Sequence, residues 1–113
     1  MAVQQQVPGL KRIDLQQHDL SVPGREVIQN RVDIEPDAPA IRHWHPGEEI
    51  IYVLEGSLEY EIDGEPPKTV NAGEALMVPA ERVHAVRNVG GDTAAKLATY
   101  VVQKDKPLLN LAE

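Results

Sequence analysis

Hydrophobic and polar residues alternate along most of this chain in short runs, a pattern typical of half-buried β-strands. Between residues 25 and 34, Ile28, Val32 and Ile34 share one parity, and residues 57–62 alternate in the same way. Glycine, proline, asparagine and aspartate separate the runs at a spacing of roughly 8–12 residues, which is typical of sandwiches and barrels. The pattern therefore predicts one all-β barrel or sandwich, with no segment that requires a helix.

Further strands are predicted at residues 75–79, 83–88 and 93–103, with a short one near Lys11 to Leu15. Asp63-Gly64 predicts a hairpin turn, and the prolines after it suit an edge strand. Alanines near residue 95 leave a helix as an alternative for the last strand, but its β-branched end favours a strand.

These elements divide the chain into three regions. Residues 1–24 form an N-terminal extension that is partly irregular, residues 25–103 form the barrel, and residues 104–113 form a C-terminal tail. We expect the tail to cover a sheet edge, either of its own chain or of another subunit.

The run at residues 50–54 is apolar on both parities, so we expect this strand to be covered on both faces. Glu49 then stands at the mouth of an apolar interior. Four larger side chains are expected to pack in the core rather than to line a pocket: Tyr52, Tyr60, Tyr100 and Met77.

Composition narrows the classes of function. The 113 residues allow one domain, and the net charge of −7 disfavours nucleic acid and anionic membrane surfaces as partners. Cysteine is absent, which excludes a disulfide framework and a thiolate zinc site. No apolar run is long enough for a membrane span, and no secretory signal is recognisable, so a cytoplasmic location is expected by default. A periplasmic location would fit a chain whose signal had been removed.

The stretch RHWHPGEEIIYVLEG, residues 42–56, carries the candidate chemistry. His43 and His45 share one face of a strand, and Glu49 follows after a tight turn. An ionised carboxylate at an apolar interior is costly unless a cation compensates it, and His84 supplies a third imidazole. Three imidazoles and one carboxylate suit a divalent transition metal such as manganese, iron, nickel, cobalt or zinc.

Two other candidate residues are less suited to the site. Glu48 competes with Glu49, but its opposite parity sends it away from the histidines, so it is read as a solvated acid or one near the ligands. His18 lies outside this pattern and is expected to be a surface histidine.

Two ordered motifs resemble those of the cupin superfamily. His43, His45, Glu49 and Gly56 match the first motif, G-x5-H-x-H-x3-4-E-x6-G, position by position. The second motif, G-x5-P-x-G-x2-H-x3-N, is matched by four further residues in order: Gly73, Pro79, His84 and Asn88. Asp37 and Glu81 stand where the two motifs have glycine, and both positions fall in turns.

The resemblance covers about residues 25–103 and implies a small jelly-roll barrel (a double-stranded β-helix) holding one metal ion. It implies four ligands, namely His43, His45, Glu49 and His84. Gly56 would allow a tight turn between strands, Pro79 and Asn88 would shape the second hairpin, and a homodimer is expected because members of this family are often dimers.

Three functions remain open at this level. The first is a metal-dependent enzyme of the dioxygenase type, in which the metal binds oxygens of a small organic substrate and Glu49 is both a ligand and a proton acceptor. The second is a non-redox isomerase, decarboxylase or lyase. The third is a module that binds a small ligand without turnover.

Overall fold

A computed structural model of the protein describes residues 7–112, in which the chain forms ten β-strands and no helix. The strands are β1 Leu10–Asp19, β2 Arg25–Ile34, β3 His43–Trp44, β4 Gly47–Glu55, β5 Ser57–Ile62, β6 Lys68–Asn71, β7 Ala75–Val78, β8 His84–Asn88, β9 Ala94–Gln103 and β10 Asn110–Leu111. Nothing in the described part of the chain is a helix suited to crossing a membrane. Residues 1–6 of the predicted extension and residue 113 of the predicted tail lie outside the described residues.

The strands form two antiparallel sheets of five strands each. The first has the order β1-β2-β9-β4-β7 and the second the order β10-β3-β8-β5-β6. β4 and β5 follow each other in the chain but belong to different sheets, so the backbone crosses between the sheets at Gly56. This arrangement confirms the predicted all-β jelly roll.

Several strands follow the alternation closely. β2 occupies the predicted residues 25–34, and β9 begins one residue inside the predicted range. β1 is longer than the predicted Lys11–Leu15 and pairs with β2 from Leu10 to Asp19, with a register shift between Asp14 and Gln16. β6 follows the prolines and lies at a sheet edge, as expected of a strand that begins after prolines.

The inward-facing residues of both sheets form the core. Tyr60 and Tyr100 are buried, as predicted. The side chains with no exposed surface include five aliphatic ones, which are Val32, Ile51, Val53, Leu58 and Val70.

The outward face of β4 corrects two predictions. Ile50 and Tyr52 are each 45% exposed and Leu54 is 37% exposed, so the expectation that β4 is covered on both faces is wrong. Met77, which pairs with Ile50 across β4 and β7, is 54% exposed and is not a core residue either, nor is Tyr52. The even-numbered residues of β4 point away from the second sheet, and no described element packs over them.

Candidate metal centre

Three strands bring the candidate ligands to one place between the sheets. His43 on β3 and His84 on β8 are direct partners across the two strands. His45 follows β3 immediately, and Glu49 lies on β4 in the facing sheet, opposite Tyr100 of β9. The jelly roll therefore joins residues that the sequence separates by up to about forty positions.

The three imidazoles form a compact cluster. The distances between ring centroids are 4.9 Å for His43–His45, 4.3 Å for His43–His84 and 5.1 Å for His45–His84. One nitrogen from each ring lies within 4.8 Å of the corresponding nitrogens of the other two. His45 and His84 are 3% and 1% exposed, whereas His43 is half-buried and forms the open side of the cluster.

Each imidazole is oriented by a backbone carbonyl. Nδ1 of His43 lies 2.8 Å from the carbonyl oxygen of Ile41. Nδ1 of His45 lies 2.7 Å from the oxygen of Leu108, and Nδ1 of His84 lies 2.9 Å from the oxygen of Arg82. A carbonyl oxygen only accepts hydrogen bonds, so each Nδ1 carries the proton and donates it. In the neutral ring, Nε2 is then left with a lone pair, which is the form that binds a metal.

The unprotonated Nε2 atoms of His45 and His84 lie beside the carboxylate of Glu49. Its Oε1 lies 3.3 Å from Nε2 of His45 and 3.4 Å from Nε2 of His84. All three atoms are buried, and none makes a hydrogen bond to a residue within 7–112. Acceptors this close repel one another unless a proton or a cation lies between them. A divalent cation would satisfy all of them, so the donor set fits a metal ion.

Charge at the cluster favours the unprotonated form. Burial, followed by the neighbouring His84, lowers the pKa of His43 from 6.5 to about 3. Burial alone would raise the pKa of the Glu49 carboxyl, but the Lys96 ammonium and the contacts with His45 and His84 outweigh it and hold that pKa well below 4.5. At neutral pH, Glu49 is therefore an anion and His43 a neutral base, as metal binding requires.

Lys96 is the residue of this region that sequence reasoning missed. It is 5% exposed, and its Nζ donates hydrogen bonds to Oε2 of Glu49 at 3.1 Å and to the hydroxyl of Tyr60 at 2.9 Å. The signal was present in the sequence, because Lys96 shares parity with Ala94, Ala98 and Tyr100 on β9 and therefore faces inward. A lysine on the apolar parity of a core strand requires a buried partner.

Two tyrosines complete the surroundings of Glu49. Burial, and then the nearby Glu49 carboxylate, raise the pKa of Tyr60 and of Tyr100 well above the ordinary value of 10.0. Both phenols therefore keep their protons. The Tyr100 ring packs edge-on against His45 with a centroid distance of 4.8 Å.

Two residues hold the turns around β8: Asn88, which was predicted to shape the second hairpin, and Glu81, which departs from the motif. Asn88 is buried, donates from Nδ2 to the carbonyls of Ile34 and Asp92, and accepts from the Gly90 amide. Glu81, which replaces the motif glycine, adopts a φ of 62°, the left-handed conformation that glycine takes without strain. Its amide donates to the carbonyl of His45 at 3.0 Å, so this turn also supports the histidine.

A cavity of about 50 Å³ opens next to His43. Its described lining is mainly apolar and includes Leu10, Ile34, Ile41 and Val86. Arg12 is the one described lining residue with a permanent charge.

Two residues that sequence reasoning placed outside the cluster do lie outside it. His18 is exposed on β1 and contacts Gln16. Glu48 lies on the outward parity of β4, opposite Val101, and is half-buried.

Two curated proteins are among those with similar sequences. Polyketide synthase CurC of Streptomyces cyaneus is 40% identical over 77 residues, which make up 67% of this chain and 49% of that protein. Protein SchB of Streptomyces halstedii is 32% identical over 69 residues, which are 60% of this chain and 49% of SchB. The chain thus spans about half the length of each of these relatives.

Solved structures share the fold. Oxalate oxidase in complex with the substrate analogue glycolate superposes with a TM-score of 0.72 at 26% identity, covering 92% of this chain and 55% of that one. The polyketide cyclase RemF from Streptomyces resistomycificus gives a TM-score of 0.71 at 22% identity, covering 95% of this chain and 73% of that one, a likeness that concerns the fold alone.

The family described as cupin domain matches residues 30–102, a range that contains all four candidate ligands. This match includes both motifs and most of the two sheets, in agreement with the similar sequences and structures. The chain therefore belongs to the cupin family.

Proposed function

We propose that this protein is a metal-dependent enzyme that acts on a small organic molecule, with one divalent transition metal ion held by His43, His45, Glu49 and His84. The observation that carries the proposal is the convergence of buried acceptor atoms of His45, Glu49 and His84 that have no donor among the described residues. Manganese, iron, nickel, cobalt and zinc all suit three imidazole nitrogens and one carboxylate oxygen.

The protein contributes a donor set that is ready before a metal arrives. The three Nδ1–H groups are bound to backbone carbonyls, so the rings are oriented with Nε2 toward the centre. A bound metal ion of this kind would supply a Lewis acid with positions open to substrate oxygens or dioxygen. Glu49 serves first as a ligand, because its lowered pKa makes it a weak proton acceptor at neutral pH.

The surroundings favour a small substrate. A cavity of about 50 Å³ has room for only a few waters and borders the half-buried His43. Its apolar lining would exclude water, and Arg12 would attract a negatively charged group. A small hydroxy-acid or diol, apolar at one end and rich in oxygen at the other, matches this description.

We propose oxygenase-like chemistry as the first activity to test. The likeness to oxalate oxidase, at 26% identity over most of the chain, supports it. A second candidate is a non-redox isomerase, decarboxylase or lyase, which the 38% identity over 45 residues to the dimethylsulfoniopropionate lyase DddQ of Ruegeria pomeroyi supports. A stand-alone binding module is the third, and it would show tight binding without turnover.

Metal analysis of protein purified without added metal tests the core of the proposal. We expect about one metal ion per chain and a higher melting temperature with metal than with a chelator, because a ligand that binds only the folded state stabilises it. His45→Gln and Glu49→Gln should lose both effects, whereas His18→Gln should keep them. Full occupancy and an unchanged thermal shift in folded His45→Gln and Glu49→Gln would refute the assignment of the site.

Oxygen consumption separates the candidate reactions. Metal-loaded protein with a panel of diols and hydroxy-acids should consume oxygen if the activity is oxygenase-like. Turnover that persists under nitrogen would favour the non-redox candidate instead. The predicted homodimer is a separate proposal, which sedimentation velocity of the wild-type protein would test.

A further inference from the structure

Lys96 occupies a position where an ammonium group is costly. It lies in the middle of β9 between Ala95 and Leu97, and its inward-facing neighbours Ala94 and Ala98 have no exposed surface. Burying a charge of this kind is unfavourable unless the charge is paired and hydrogen-bonded. The ammonium group of Lys96 therefore depends on buried partners, and these lie on strands that are distant from β9 in the sequence.

The pairing makes the two oxygens of Glu49 inequivalent. Oε2 accepts a hydrogen bond from Lys96 Nζ at 3.1 Å, and Tyr60 fixes the same Nζ from a second direction at 2.9 Å. Oε1 instead faces Nε2 of His45 and of His84 at 3.3 and 3.4 Å and accepts no hydrogen bond from the described chain. One oxygen is thus occupied by the protein, and the other is presented to the imidazoles of His45 and His84.

We propose that Lys96, anchored by Tyr60, is a positioning residue that withholds Oε2 of Glu49, so that this carboxylate offers a single oxygen to a cation in the cluster. The inference rests on the proposed function. It adds to that function a residue that determines how many coordination positions on the metal ion remain open to a substrate. Three nitrogens and one oxygen leave two positions on a six-coordinate ion, and a two-oxygen carboxylate would leave one. A substrate that binds through two adjacent oxygens needs both positions.

A purely structural role for Lys96 would predict something different. In that case the ammonium would only neutralise a buried carboxylate, and its removal would lower stability without changing how a metal or an added ligand binds. The two roles are therefore separated by the coordination of a bound ion rather than by stability or activity.

Cobalt(II) is a suitable probe because its visible absorption spectrum depends on the coordination number and geometry of the ion. We would load the wild type and the variants Lys96→Met and Tyr60→Phe with cobalt(II) and titrate each with glycolate, a two-oxygen ligand, and with acetate. Lys104→Met is the matched control, since Lys104 is a partly exposed lysine that pairs with Asp19 of β1 rather than with a candidate ligand.

We expect Lys96→Met to keep about one cobalt(II) per chain, to show an altered spectrum, and to bind glycolate at least about tenfold more weakly, with little change for acetate. Tyr60→Phe should change the spectrum and the glycolate affinity in the same direction by a smaller amount. Lys104→Met should match the wild type in all three measurements.

An unchanged spectrum and unchanged glycolate affinity in folded, cobalt-loaded Lys96→Met would overturn the inference. An equal loss of glycolate and acetate would also overturn it, because that result indicates a charge effect rather than positioning. If Lys96→Met does not fold, Tyr60→Phe decides by the same criteria. A wild type that binds no cobalt(II) would refute the proposed function itself, and this inference with it.

Discussion

At the scale of single residues, the proton positions on three histidines decide what the cluster can bind. Each Nδ1 donates to a backbone carbonyl, and side-chain substitutions do not remove a carbonyl. This leaves Nε2 of His45 and of His84 as acceptors beside the Oε1 acceptor of Glu49. The motif spacing identified these residues, but their proton positions follow only from the partners of Nδ1.

The lowered pKa of His43 gives a pH dependence to stability. In the folded protein this pKa is about 3, and on unfolding it returns to the ordinary 6.5, so between these values the unfolded chain binds a proton that the folded chain does not. The free energy of unfolding of the metal-free protein should therefore fall as the pH drops through this window, by at most about 1.4 kcal/mol per pH unit for this proton.

Urea denaturation in the presence of a chelator, between about pH 7 and about pH 4, measures this slope. His43→Gln should reduce the slope, whereas His18→Gln, a change at an exposed position, should leave it as in the wild type. Equal slopes in the wild type and in His43→Gln would show that His43 is not the source of the pH dependence.

At the scale of elements, the junction at Gly56 leads the chain from β4, which carries Glu49 in the first sheet, to β5 in the second sheet. Gly56 makes this crossing with a φ of 76°, and a Cβ added there would lie 2.9 Å from Cβ of Ala94. Both the backbone conformation and the close approach of β9 therefore require glycine. The motif predicted a tight turn here, but the contact with β9 depends on the sheet order.

Gly56→Ala should lower the free energy of unfolding by about 1–3 kcal/mol, because it adds strain at a positive φ and a close contact with Ala94. Gly73→Ala is the matched control: Gly73 has a φ of 87° but no atom within 4 Å of an added Cβ, so it reports the backbone strain alone. Urea denaturation should show a larger loss for Gly56→Ala. A loss no greater than that of Gly73→Ala would mean that β9 moves away at little cost.

At the scale of the whole molecule, the C-terminal segment reaches the cluster. The carbonyl of Leu108 accepts the hydrogen bond from Nδ1 of His45, 63 positions away in sequence, and the Leu108 side chain is buried. β10 adds Asn110 and Leu111 to the edge of β3, pairing with Trp44 and His43. The predicted covering of a sheet edge by the tail is therefore seen within the chain itself, beside the candidate ligands.

A chain ended at Pro107 should bind cobalt(II) about 10–100-fold more weakly, because His45 loses the acceptor that orients it. Leu108→Ala keeps the carbonyl while removing apolar contacts, so it should lose stability but little metal affinity. Competition with a metal-binding dye gives the affinities, and circular dichroism checks that both variants are folded. Equal affinity in the shortened chain and the wild type would exclude the carbonyl as a support for the site.

The amino-acid sequence by itself predicted most of the strands and an all-β barrel or sandwich, and its resemblance to the cupin superfamily implied the jelly roll and the candidate ligands. These features depend on local quantities: which side chains alternate, which turns accept glycine or proline, and how far apart the motif residues stand. Alternation every second residue placed His43 and His45 on one face of an extended segment and excluded Glu48 from it. Information of this kind is contained in neighbouring residues and needs no knowledge of distant strands.

Only the tertiary structure decided which of these side chains meet. The continuous apolar run at residues 50–54 predicted that both faces of β4 are covered, yet Ile50 and Tyr52 are exposed, because cover for an outer face must come from another element. The pairing of Lys96 with Glu49 and of His45 with Leu108 joins residues 47 and 63 positions apart. Such contacts depend on the order of strands in the sheets, and hydrophobic alternation along one strand does not encode that order.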